Sequence, residues 1–277
     1  MTAILIGFNY SDSVPGIIVD LYQAYKLCQP WATQIRVITD MTVDGPTAYV
    51  SRAIIDGLVG PDISTFIAML RETNSLYTVT HQDKPLRMQQ CLEGIGGDKC
   101  LVYYTGHGLQ DSFILPNGTR LPIQLFQESL FGRFPISAEI LWIMDCCYPS
   151  GLSLPYKLQH GHWRYREEGV PERRRVICLS SSDGQHEKSV ATRQGSVFSR
   201  ALFELLKSGI RNVAKIQAEL NSKVRASYDE YKVEYGRLPR QTVSLYASYP
   251  DLREIWPWVV NSPVWIDWKT HTVHIRT

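Results

Sequence analysis

The 277-residue sequence has no CxxC pair among its six cysteines, no apolar run near the roughly 18 residues that cross a bilayer, and no large excess of either charge. Each lack excludes something. Without CxxC spacing there is no ligand set of the usual structural-zinc form, and no metal is expected. Without a long apolar run there is no membrane span to place. The opening MTAILIGFNY has neither the basic n-region nor the apolar length of a signal peptide. A net charge of +2 gives no bulk attraction to nucleic acid or to an anionic membrane, so neither is expected as a partner. The cysteines (28, 91, 100, 146, 147 and 178) show no framework spacing. Cys146 and Cys147 make a poor disulfide, because neighbours on a strand point to opposite faces. Free thiols in a reducing, cytoplasmic compartment are the expectation. Internal repeats and low-complexity segments are also lacking.

What is there fits a folded domain. Hydrophobic residues make up 44% and charged residues 20%, enough for a large core. The chain opens strand–helix–strand: TAILIGF at 2–8, an apolar stripe at 17, 18, 21, 22, 25 and 28 stopped by Pro30, then QIRVIT at 34–39. That order signals a parallel crossover. Helices are predicted at 62–72, with Asp62 as N-cap, and at 86–94, 122–131, 196–206 and 212–231. A small hairpin is predicted around 113–118. Strands are predicted at 100–104, 139–144, 176–180 and 242–247. Gly94-Ile95-Gly96-Gly97 precedes a strand rather than following one, which argues against a phosphate-binding loop. Residues 157–175 carry six Lys or Arg and three Glu without a clear period, and read as an exposed, protease-sensitive basic loop. Residues 250–277 are rich in Trp and Pro and end in a candidate strand, HTVHIR. The pattern is α/β: about six mostly parallel strands in one central sheet, with helices on both faces.

Two segments stand out. ILWIMDCCYPSG (140–151) is an apolar run ending in an acid and two cysteines, and KCLVYYTGHG (99–108) is an apolar run ending in Gly-His-Gly. Such runs read as buried strands, and chemistry in open α/β sheets gathers at strand C-terminal tips. As parallel neighbours, their backbones would lie about 4.8 Å apart. A thiol and an imidazole could then converge, the minimum set for a cysteine nucleophile.

These motifs resemble the caspase-like cysteine peptidases and, within them, the metacaspases, whose usual forms are YSGHG and DxCHSG. The likeness is spread over most of the chain. AILIGFNY resembles the first strand and VPGIIVD the segment that reads LxGCxND. LPY at 154–156 follows the nucleophile as it often does there. VICLSSSDGQ resembles the late LSGCxDxQ strand and loop, GSVFSRAL the helix after it, and Arg240-Gln241 the Pro-Gln before the last strand. The resemblance implies a caspase-like domain over 1–249: a large-subunit-like part at 1–156, a basic linker at 157–175 and a small-subunit-like part at 176–249. A C-terminal extension at 250–277 would pack on it and could cover a sheet edge.

Residue by residue, the resemblance implies His107 as catalytic histidine and Cys147 as nucleophile, with the N–H groups of Gly108 and Cys147 forming the oxyanion hole. The alternation of a strand agrees on the cysteine, since Asp145 and Cys147 share a direction and Cys146 points back to the core. Asp20, Thr105 and Asp145 match the substrate-binding S1 positions that hold a P1 Lys or Arg. Asp183 matches the aspartate of the late loop.

The departures are specific. Tyr148-Pro149 stands where the family has one His, and Ile17 replaces a pocket cysteine. The acidic calcium loop is missing: LQDSFILPNGTRLP follows GHG, with Asp111 its sole acid, so calcium dependence is doubtful and no cofactor is expected. The resemblance thus implies a monomeric cysteine endopeptidase acting on proteins or peptides after Arg or Lys, with self-cleavage in 157–175. The alternative is a catalytically inactive caspase-fold scaffold or binding module, favoured by Tyr148-Pro149 and opposed by the retained Cys and His.

Overall fold

Near-continuous burial along the central chain segments, covered on both faces, builds the sheet. In the computed structural model, β1 (Thr2–Gly7), β2 (Gln34–Thr39), β3 (Leu76–Thr78), β4 (Lys99–Thr105), β8 (Glu139–Asp145) and β11 (Arg175–Ser180) are parallel, in the order β11-β8-β4-β1-β2-β3. The antiparallel β14 (Ser244–Ala247) then pairs with β11. The structure describes residues 1–10, 14, 16–40, 66, 68, 70, 72–79, 83–109, 111–147, 153–183, 187, 189–192, 195–235, 241–256, 264–267 and 272–275, with backbone alone at 228–235 and in the last two ranges.

Each strand feeds both faces, because successive side chains alternate. Leu5, Leu101, Tyr103, Leu141, Ile143, Ile177 and Leu179 enter one buried layer. There they meet α1 (Ile17–Cys28), α4 (Val197–Lys207) and α5 (Val213–Tyr235). Ile4, Ile6, Val102, Tyr104, Trp142 and Met144 enter the other layer, under α2 (Pro85–Gln90) and α3 (Ile123–Phe131). Phe66 and Leu70 are buried against the first layer, and Phe66 packs its ring on Tyr22 and Tyr25 of α1; most of the helix predicted at 62–72 lies outside the described residues.

The sheet has nine strands rather than about six. One addition is β3, on the outer edge of β2. The other corrects the reading of 157–175 as a loop. Its first half is a hairpin, β9 (Tyr156–Gln159) and β10 (His162–Tyr165), and β9 pairs antiparallel with β14. The turn residues His160 and Gly161 both have positive φ, 49° and 79°, as a two-residue hairpin turn with matching twist requires. Leu158 is buried, the Trp163 indole N–H donates to the Leu252 carbonyl (2.8 Å), and Tyr156 packs edge-on against Tyr165. Lys157 Nζ lies 2.6 and 2.7 Å from the two carboxylate oxygens of Asp183.

The outer edge of β14 is therefore covered by β9 and not by the C-terminal extension, which corrects that expectation. Within the extension, β15 (Val264–Asp267) and β16 (Thr272–Ile275) pair with each other, and Leu252, Ile255 and Trp256 are buried on the domain. Among the described residues no helix is long and apolar enough to cross a membrane.

The Lys157–Asp183 pair ties the hairpin to the loop after β11, and both side chains are about three-quarters buried. Lys157→Ala should cost roughly 1–2 kcal/mol in urea unfolding and speed limited proteolysis within 156–165. Unchanged stability and cleavage would show that the hairpin is held by Leu158 and Trp163 alone.

Candidate active site

The site begins with a register. β4 and β8 pair with Thr105 opposite Asp145, so both strands stop on one line across the sheet. The Gly106 N–H still donates to the Asp145 carbonyl (3.2 Å). His107 and Cys147 then follow two residues beyond paired ends. A Cβ built on Gly108 would lie 2.3 Å from the Cys147 carbonyl oxygen and 2.9 Å from Cys146 Sγ. Only glycine allows the backbone after His107 to lie this close to the cysteine segment. The structure thus lays the Gly108 backbone, next to His107, against Cys147.

Cys146 and Cys147 divide as strand alternation requires. Cys146 is 1% exposed in the second core layer, and burial pushes its thiol well above the ordinary range, with the Cys147 and Asp145 charges acting in the same direction. Its backbone is fixed by serines: the Cys146 N–H donates to Ser181 Oγ, and the Ser181 and Ser182 hydroxyls donate to its carbonyl. Cys147 is half-buried, with Sγ 4.0 Å from the Ser189 carbonyl oxygen. All six cysteines are free.

The His107 turn is clamped from the second layer. The Tyr104 hydroxyl donates to the His107 carbonyl (2.8 Å), and the Ile114 N–H reaches the same carbonyl (3.1 Å). After the turn, β5 (Gly108–Leu109), β6 (Ser112–Ile114) and β7 (Arg120–Pro122) form a small meander. Residues 107 and 114 are bonded across its first ladder, so the next pair, Gly108 and Phe113, is the non-bonded type. The Gly108 N–H is thereby turned away from β6. His107 is exposed, and the partial desolvation of its imidazole by the surrounding turn lowers its pKa from the ordinary 6.5.

Asp20, Thr105 and Asp145 converge on the opposite face. Thr105 and Asp145 share the direction of Tyr103 and Ile143, toward α1 and α4. Asp20 comes from the first turn of α1. Asp20, Thr105 and Asp145 are all buried, at 4%, 2% and 3% exposure. The Thr105 hydroxyl donates to Asp20 (3.5 Å), and the Ser196 N–H donates to both Asp20 oxygens at 3.0 Å. Ser196 caps α4, so the Asp20 carboxylate sits on the positive end of that helix. The β-strand pair β12 (Ala191–Thr192) and β13 (Gly195–Ser196) delivers that N–H. Gly195 has φ +93°, and a Cβ there would fall 2.4 Å from Asp20 Oδ1, so it must lack a side chain. Asp145 accepts from the Ser189 and Ser199 hydroxyls.

Among the described residues no Lys or Arg is ion-paired with Asp20 or Asp145. Burial raises both carboxyls above the ordinary 3.8; for Asp20 the Asp145 charge adds to the effect, while the Ser196 N–H, the Thr105 hydroxyl and the Arg200 charge oppose it. Asp183 does not join them, since its carboxylate is held by Lys157 and by the Tyr246 hydroxyl (3.2 Å).

Sequence reasoning missed Tyr10, Ser189, Ser196 and Ser199. Tyr10 had a signal, because it follows the C-terminal end of β1 on the same sheet edge as Thr105 and Asp145. The serines had none, because which hydroxyl meets which carboxylate depends on how α4 and the loop before it pack. The Tyr148-Pro149 insertion lies outside the described residues.

A model of the caspase domain family matches residues 73–247. Among solved structures, the crystal structure of caspase-1 from Spodoptera frugiperda is similar, with a TM-score of 0.50 at 15% identity, over 89% of this chain and 86% of that one. At that identity the likeness concerns the fold. A search of curated proteins finds no match.

The two buried acids make a stability prediction. Each has its folded pKa raised, so its contribution is full below 3.8 and is lost as pH rises through the raised folded values. Asp20→Asn removes one of the two charges. Its urea stability should fall less than that of wild type as pH rises above about 4. Parallel profiles would mean that the two carboxyls do not repel in the fold.

Proposed function

The chain belongs to the caspase domain family, and from that premise we propose that it is a cysteine endopeptidase of the metacaspase type, cleaving after Arg or Lys. The observation that carries this reading is the matched ending of β4 and β8. It lays the Gly108 backbone, next to His107, against Cys147, and two buried carboxyls lie at the same strand ends toward α1 and α4, which supports the reading.

In this reading the scissile carbonyl lies over Cys147. The thiol passes its proton to the neutral His107, the sulfur attacks the carbonyl carbon, and His107 returns the proton to the leaving amine. The N–H groups of Gly108 and Cys147 receive the developing oxyanion, and the outward turn of the Gly108 N–H in its ladder supports that role. Water then releases the acyl group from Cys147. The P1 side chain runs to the other face, where Asp20, Thr105 and Asp145 receive its cation. A cation entering this site meets two acids already crowded against each other, so it relieves repulsion as well as gaining hydrogen bonds. An Asp at P1 would add a third negative charge.

Calcium has no step in this mechanism. Among the described residues no three His, Cys, Asp or Glu side chains come together as a metal site, and the segment after His107 offers only Asp111. We also read the chain as a monomer of a reducing compartment such as the cytoplasm. The β9–β10 hairpin occupies the β14 edge, and the new outer strand β10 is short and carries His162 and Arg164, features that discourage edge pairing. Self-cleavage, where it occurs, falls at the exposed Arg173 in the loop before β11, rather than at Arg164 or Arg175 in paired strands or at the engaged Lys157, Arg166 or Arg174.

The test is hydrolysis of matched fluorogenic peptides with Arg, Lys or Asp at P1, with and without calcium, for wild type, Cys147→Ala and Asp20→Ala. Turnover of the basic peptides should vanish in Cys147→Ala and fall at least about 100-fold in Asp20→Ala, with calcium making no difference. Preference for Asp at P1 would overturn the specificity. No turnover under any condition would favour a binding module that keeps the fold without the chemistry.

The same preparation should elute from a sizing column near 31.6 kDa. A dimer that persists on dilution would refute the capped-edge argument.

A further inference from the structure

His107 has its backbone held on one side by Tyr104, but among the described residues nothing hydrogen-bonds its imidazole. A proton-transfer group needs a fixed orientation, and in a dyad no third hydrogen-bonding side chain supplies it. The contact present instead comes from Tyr10. Its ring lies on the imidazole, with centroids 4.4 Å apart and planes at 40°.

The Tyr10 hydroxyl acts on the same residue. Across the β5–β6 ladder, the Ile114 N–H donates directly to the His107 carbonyl (3.1 Å). The reciprocal bond of such a pair, from the His107 N–H to the Ile114 carbonyl, is replaced. The His107 N–H donates to Tyr10 Oη at 2.8 Å, and Tyr10 Oη donates to the Ile114 carbonyl at 2.8 Å. The phenol is a wedge in the ladder, spacing His107 from β6 by the width of one oxygen. Gly106 leaves room for it: a Cβ there would lie 2.8 Å from Tyr10 Oη.

Tyr10 is itself firmly placed. Its φ is +51°, a conformation that costs energy outside glycine and persists only when neighbours impose it. Asp40, beyond the end of β2, does so by accepting the N–H groups of Asn9 (2.6 Å) and Tyr10 (2.7 Å).

We propose that Tyr10 is the positioning residue for His107, its ring fixing the plane of the imidazole and its hydroxyl fixing the backbone beneath it. The inference rests on the peptidase reading for its catalytic consequence, though the contact itself does not. Burial raises the Tyr10 phenol, so it stays protonated and able to donate. The ring also withholds water from one face of the imidazole, which agrees with the lowered His107 pKa. The titratable groups packed around the turn are Tyr10, Tyr104, Cys146 and Cys147, with Asp40 bonded to the Tyr10 backbone; no carboxylate among the described residues hydrogen-bonds the imidazole.

Two variants and two measurements test this. Tyr10→Phe keeps the ring and removes the wedge; Tyr10→Leu removes both. With a P1-Arg peptide, kcat should fall about tenfold for Phe and about 100-fold for Leu, with KM within about twofold, because the P1 pocket lies on the other face. In the Cys147→Ala background, NMR titration of His107 should give a midpoint that rises toward the ordinary value for Tyr10→Leu and stays low for Tyr10→Phe. A Phe variant with wild-type kcat, or a folded Leu variant with an unchanged midpoint, would overturn the proposal. The NMR arm needs no turnover, so it still decides the contact if the wild-type protein hydrolyses nothing. The Phe variant, which only exchanges a bridged ladder bond for a direct one, guards against a Leu variant that does not fold.

Discussion

Everything at this site depends on one pairing: β4 and β8 run parallel and in register, so that Thr105 faces Asp145 at the last rung. A parallel ladder fixes the stagger of its two strands along their whole length, here seven rungs from Lys99–Glu139 onward. The core enforces it from both sides, because a slip by one residue would send Trp142 and Tyr103 to the wrong layers. The positions of His107 and Cys147 are set by apolar packing well below them. The loops beyond the strands need only be short and glycine-bearing.

The two faces of the sheet then receive separate tasks. Odd-numbered residues of β4 and β8 lead to the α1–α4 layer, where Asp20, Thr105 and Asp145 gather under serine hydroxyls and a helix N-terminus. Even-numbered residues lead to the α2–α3 layer, where Tyr104 and Cys146 support the His107 turn from behind. The first group holds two buried acids whose pKa values burial raises, and the Ser196 N–H, the serine and threonine hydroxyls and the Arg200 charge offset part of that cost. The second group is satisfied and rigid. Ser189 joins them, its hydroxyl on Asp145 and its carbonyl near the Cys147 sulfur.

The parts legible in the sequence were those governed by short period and strand ends. The apolar runs at 100–104 and 140–144 gave two strands, their tips gave His107 and Cys147, and alternation separated Cys146 from Cys147. The β9–β10 hairpin was obscured by its charge. YKLQHGHWRY alternates around a two-residue turn ending in Gly, yet the basic side chains that made it look like a solvated loop are partly absorbed, Lys157 by Asp183 and Arg166 by the Leu154 carbonyl and the Tyr246 ring. Composition reported exposure where pairing had removed it. The serine contacts were illegible for another reason: a hydroxyl's partner is chosen by the packing of α4, and no local pattern encodes it.

Tyr10 shows how far a sheet edge can reach. β1 carries no reactive side chain at its tip, and its contribution is a turn. Asp40, delivered by β2 on the far side, holds that turn in a left-handed conformation. The turn lays Tyr10 across toward β4 and into the ladder beyond it. Three neighbouring strands are therefore needed to place one imidazole: β2 for the carboxylate, β1 for the phenol and β4 for the histidine. Their parallel registers, Gly7 opposite both Thr39 and Thr105, bring those three ends level. An antiparallel neighbour would present its opposite end there and could not supply the same chain of contacts. The geometry around His107 follows from strand direction as much as from the residues that touch it.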